Sequence, residues 1–195
     1  MLDSLILKGY IDPTDSEQLP ITKEDVAQVL GTSEDNINDW ERWPHMLAVY
    51  TVNGLTFASY RKLTGWANAG KLAIARCTDL SQLEEFGAIV GSEKQRFEYS
   101  QKTLQEWRKH WAAQKGHLLA QAERRRIKDA RQQQGHNWKA GWQQVLGHCQ
   151  RLSVLEQLRP ELERQCQEFA DLSEIIKAVA EIWQHRWNQL CDFAT

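Results

Sequence analysis

Residues 21–42, ITKEDVAQVLGTSEDNINDWER, read as a helix, a tight turn and a second helix, and the rest of the chain can be ordered around them. Thr22 is an N-cap residue with acids behind it in the first turn, so a helix starts at Lys23 and runs to Leu30. Gly31 supplies the left-handed residue that closes a helix C-terminus. Ser33 caps the second helix, on which Ile37 and Trp40 stand three apart and share an inward face with Val26, Ala27 and Leu30. The small Ala27 suits a close crossing of two helices.

This pattern resembles the helix-turn-helix superfamily of DNA-binding proteins, in particular the MerR-type and excisionase-like branches. There a similar second helix runs into an aromatic residue and Glu-Arg, here Trp40-Glu41-Arg42. The resemblance implies a second helix lying in the major groove of double-stranded DNA, with Asn36, Asn38 and Arg42 as its base- or phosphate-reaching side chains. The same outward positions carry Glu34, Asp35, Asp39 and Glu41, and four carboxylates facing a polyanion cost a great deal. Two uses therefore stay open. Either the motif touches DNA, or it is kept as a folding unit or a protein-docking unit at Glu34, Asp35 and Asp39.

Downstream, AVYTV and LTFASY flank Asn53-Gly54, a strong short-range hairpin signal because the turn residues tolerate positive φ. Directly behind a second helix, such a hairpin is the wing of a winged helix, and Arg61 and Lys62 just past it become phosphate contacts. The competing reading makes Leu55–Gly70 a helix. Leu2 to Leu7 form a first packing element, helix or strand. LSQLEEFGAIV forms a short amphipathic helix capped by Asp79 or Ser81, and Ser92 with Gln95 signals the start of the next one.

The net charge of −2 hides a strong asymmetry. Residues 94–139 carry twelve Lys and Arg against four Asp and Glu, between two acidic flanks. From Glu93 to about Gln134 the absence of Pro favours one long helix, with Phe97, Leu104, Trp111 and Leu118 repeating every seven residues. That seam wants a partner helix, and self-association through residues 94–192 is expected. The cations Arg124, Arg125, Arg126, Lys128 and Arg131 lie on the other faces, as phosphate-tracking groups or as a solvated surface. Gln132–Asn137 is expected to break the helix. Stripes from Trp138 to Leu152 and from Leu162 to Leu190 then close a three-helix bundle or a coiled-coil hairpin that pairs between subunits.

The expected architecture is thus mainly α: a helix-turn-helix domain over 1–92, winged if the hairpin forms, and a long-helix bundle or coiled coil over 93–195. At that level the layout also resembles phage terminase small subunits, in which a helix-turn-helix precedes helical oligomerisation segments. Cys77, Cys149, Cys166 and Cys191 fall at no metal-ligand spacing and read as reduced thiols of a cytoplasmic protein. No apolar run is long enough for a membrane span. There is no phosphate-binding glycine loop, no H-E-x-x-H and no Gly-x-Ser-x-Gly, so no catalysis, metal or cofactor is expected. Two functions remain: a DNA-binding regulatory or DNA-organising protein that oligomerises through its helices, or a non-enzymatic helical adaptor whose acidic segment docks on a protein.

Overall fold

A computed structural model describes residues 3–192; Leu2, expected in the first packing element, lies outside them. The chain divides into two compact units, Met1–Gln121 and Ala122–Thr195. The first unit thus takes in residues 93–121, which charge and glycine content group with the helical region.

The first helix forms as its caps dictate. Helix α1 spans Lys23–Leu30, with a reciprocal capping box between Thr22 and Asp25 and Gly31 at φ 64°. Beyond Gly31 the chain departs from expectation. Ser33 caps only a 3-10 turn, Glu34–Asn36, and Ile37–Arg42 is strand β1, so the second helix of the motif is absent. The cause is visible in the pairing with β2, Leu47–Thr51, where the register shifts between Ile37 and Asp39. One extra residue there turns Ile37 and Trp40, three apart, toward the same side, so a β-bulge reproduces the spacing of a helix face.

The hairpin forms as expected, with β3 spanning Gly54–Ala58 and the order β1-β2-β3, all antiparallel. Its turn is Val52-Asn53, however, and only Gly54 takes a positive φ, 113°. Tyr60–Lys62 then makes a second 3-10 turn. Helix α2 spans Gly65–Arg76 and α3 spans Leu80–Glu93, with Asp79 as the expected cap of α3. The N-terminal residues pack as hydrogen-bonded turns rather than as a helix or strand, and Leu5, Ile11 and Leu19 are fully buried.

The long helix is real but shifted. Helix α4 runs Gln101–His148, with Ser100 accepting from the Thr103 amide at 3.0 Å. Ser92 stays inside α3, and Phe97 sits in the connection between the two helices. The heptad seam finds its partners inside this unit. Trp107 lies edge-on to Phe86 and Tyr99, and its indole N–H donates to Ala67 O at 2.8 Å. Gly70 of α2 makes room for that ring: a Cβ there would meet Trp107 carbons at 2.1 Å. Trp111 donates to Leu83 O at 2.9 Å, and Leu118 is buried.

In the second unit, no break occurs at Gln132–Asn137. Gly135 is a buried point of helix contact, where a Cβ would reach Leu172 at 2.5 Å and Ile175 at 2.7 Å. Helices α5, Leu152–Glu168, and α6, Ser173–Asp192, complete this unit, with Pro160 inside α5. Trp142, Leu146, Leu155, Leu162, Val179 and Leu190 share one core drawn from all three helices. Gln165 Oε1 accepts from both Trp138 and Trp142, at 2.6 and 2.9 Å.

Candidate interaction surfaces

Arg61 shows how the fold consumes charges that look free in the sequence. Its side chain is 6% exposed and pairs with Glu93, which is fully buried at the end of α3. Glu93 also accepts from the Leu5 amide at 3.2 Å and from the Tyr99 hydroxyl. The guanidinium lies 3.9 Å from the Phe97 ring centroid and 5.3 Å from that of Trp66. Burial, then Glu93, push the Tyr99 phenol well above its ordinary range. Arg61 is therefore a structural cation, not the phosphate contact expected of it.

Two more expected contacts are similarly committed. Arg42 donates to Pro13 O at 2.7 Å and Leu19 O at 2.9 Å. Arg131 pairs with Asp171 at 2.7 Å and lies over the Phe169 ring, 4.7 Å from its centroid. Asn36 donates to Thr32 Oγ1 at 2.8 Å, while Asn38 is exposed at the bulge of β1. Lys62 is exposed on a cleft shared with Lys71, Lys102, Glu98 and Glu106.

The remaining cations converge on one stretch. Every residue from Leu119 to Ala130 of α4 is exposed, a rod of about 18 Å at the helical rise. Among the described residues, Arg124, Arg125 and Lys128 make no ion pair, while Arg126 is held by Glu123 at 2.9 Å. Leu119 and Ile127 are 49% and 59% exposed on the same stretch.

A second surface is not evident from the sequence. Strand pairing sets Asp39 opposite Tyr50, Glu41 opposite Ala48, Tyr50 opposite Leu55 and Ala48 opposite Phe57, so these residues share the outer face of the sheet. Tyr50, Leu55 and Phe57 are 41–50% exposed there, and Trp43 and Met46, at the turn between β1 and β2, continue the apolar area. Phe57 packs on Trp43 at 5.4 Å between ring centroids. A groove of about 630 Å³ lined by Leu7, Met46, Phe57 and Phe97 adjoins it. Asp39 and Glu41 run along the β1 side of this face, without an ion pair to any described residue. The signal lies in the hairpin itself: Leu47 and Val49 fill the inner face, yet Tyr50, Leu55 and Phe57 make the other face apolar too.

Among the described residues, no three His, Cys, Asp or Glu side chains are grouped to hold a metal ion. All four cysteines are free thiols. No described helix is long and apolar enough to cross a membrane. No family model, curated protein or solved structure matches the chain.

Proposed function

We propose that the protein is a non-enzymatic adaptor whose sheet face receives a basic, amphipathic segment of a protein. What carries the reading is the open area of Trp43, Met46, Tyr50, Leu55 and Phe57 with Asp39 and Glu41 along one side. Contiguous apolar surface of this kind is costly to leave in water and marks protein contact sites. The flanking carboxylates select a cationic occupant and repel nucleic acid. Glu34 and Asp35, on the turn leading into β1, add acidic charge to the same region of the chain.

The test uses a synthetic helical peptide with leucines on one side and arginines beside them, and a second peptide with glutamates in place of the arginines. The arginine peptide should bind, and Phe57→Glu should weaken it more than about tenfold. Equal affinity for both peptides, or no effect of Phe57→Glu, overturns the reading.

A second reading is favoured by a separate observation, the unpaired Arg124, Arg125 and Lys128 on the exposed part of α4. On this reading they follow the phosphates of double-stranded DNA, with Lys62 as a further candidate. Titration with random duplex DNA at two salt concentrations should then give a steep negative slope that Arg124→Glu, Arg125→Glu and Lys128→Glu abolish. A flat slope removes this reading.

A further inference from the structure

We infer that the protein binds a slim amphiphile with an anionic end, such as a medium-chain carboxylate, in a groove between α3 and α4, apart from the sheet face. A space of about 250 Å³ opens there, walled by Val90, Leu104, Trp107 and Trp111 and floored by Gly87 and Gly91. Trp111 reaches Leu83 O while residues 94–100 join the other ends of the two helices, so α3 and α4 run antiparallel along it. Both indole N–H groups are spent on backbone carbonyls, of Ala67 and Leu83, so the rings offer the groove apolar surface.

Internal packing does not account for the floor. Neither Gly87 nor Gly91 takes a positive φ, and both lie inside α3, where glycine is the poorest helix former after proline. At Gly70 and Gly135 a Cβ would strike a neighbouring side chain, at 2.1 and 2.5 Å; at Gly91 it would meet nothing within 4 Å, and at Gly87 only the Trp111 ring, at 3.4 Å. The two glycines thus keep open a channel that the chain itself does not fill.

The charge along the channel has one sign. Lys94 and Arg108 line it and are exposed; among the described residues neither has an ion-pair partner, and no carboxylate lines the channel with them. Toward the far end, Lys115 lies over the Trp111 ring, 4.8 Å from its centroid, but already faces Glu84 at 4.0 Å. An anionic head is therefore drawn to the Lys94 side, with its tail over the glycines toward Trp111. Size selects a small ligand: an apolar cavity of about 150 Å³ accepts one benzene, so this space takes about ten carbons, whereas a helix about 10–12 Å across does not enter it.

The experiment titrates the full chain with decanoate below its micellar concentration, reading heat and tryptophan emission. One saturable site is expected, and decanol, which lacks the charge, should bind about fivefold more weakly. Gly91→Leu, whose Cβ enters open space, should fill the channel and abolish binding, with a thermal midpoint equal to or above that of wild type. Phe57→Glu, on the sheet face, should leave decanoate binding intact. Lys94→Glu/Arg108→Glu should prefer decyltrimethylammonium to decanoate, the reverse of wild type; both positions are exposed, so this variant decides alone if Gly91→Leu does not fold by circular dichroism. Absence of a saturable site overturns the inference, as does binding that survives Gly91→Leu, that Phe57→Glu removes, or that the charge reversal leaves unaltered. Equal affinity for decanol and decanoate overturns the anionic head. If decanoate fails while an acidic, leucine-rich peptide binds and Gly91→Leu blocks it, the groove serves a protein and the small-ligand assignment is wrong.

Discussion

Glu93 decides the fate of three neighbouring groups: it satisfies Leu5 N, neutralises Arg61 and holds the Tyr99 hydroxyl. Glu93→Ala leaves a guanidinium buried without a counter-charge, and denaturant unfolding should register a loss of about 3–5 kcal/mol. Replacing both partners, Arg61→Met with Glu93→Leu, should cost far less, because no orphan charge remains. The tyrosines give a pH signature. Burial raises the phenols of Tyr10 and Tyr60 to about 12, and Tyr99 is pushed up by burial and Glu93. A raised folded-state value means the unfolded chain releases its protons first, near its ordinary value of about 10. Their contribution is therefore complete below that pH and fades as pH climbs through the folded values, so stability should fall steeply in alkali, in step with phenolate absorbance. Tyr99→Phe should flatten that decline. None of this is legible from residue types: the partner of Arg61 lies on another helix 32 positions away.

Elements are readable where local chemistry alone specifies them. Thr22, Asp25 and Gly31 announce α1, Asp79 announces α3, and Gly54 marks the hairpin. Legibility ends where a tertiary contact overrules a local rule. The bulge after Ile37 imitates a helical repeat, which is why β1 reads as a helix. Gly135 looks like a helix breaker, yet α4 continues through it because Leu172 and Ile175 pack where its side chain would be. The two outer-face positions Leu55 and Phe57 are legible only as strand formers, since their exposure depends on what the rest of the chain leaves uncovered. Gly70→Ala tests a close approach of the same kind: its Cβ would enter the Trp107 ring, and overpacking should cost about 1–3 kcal/mol or more by thermal unfolding. Gly54→Ala, at φ 113°, should destabilise the hairpin by about 1 kcal/mol through strain alone.

Across the whole molecule, each unit carries its own core, and the boundary between them falls within the exposed stretch of α4. That stretch has no tertiary packing to hold it, and it contains Arg124, Arg125, Arg126 and Lys128. Limited trypsin digestion should therefore cut there first, and mass spectrometry should find two fragments meeting between residues 124 and 129 before any cut inside β1 to α3. Initial cleavage elsewhere would mean that the stretch is more firmly held than its exposure implies.

The Arg61–Glu93 pair also constrains how this sequence can change over generations. Losing the carboxylate first strands a buried cation, while losing the cation first strands a buried carboxylate, so either single step passes through a poorly folding intermediate. Descendants should keep both residues or exchange both for apolar ones, and the two positions should drift as a linked couple while the exposed cations of α4 wander independently.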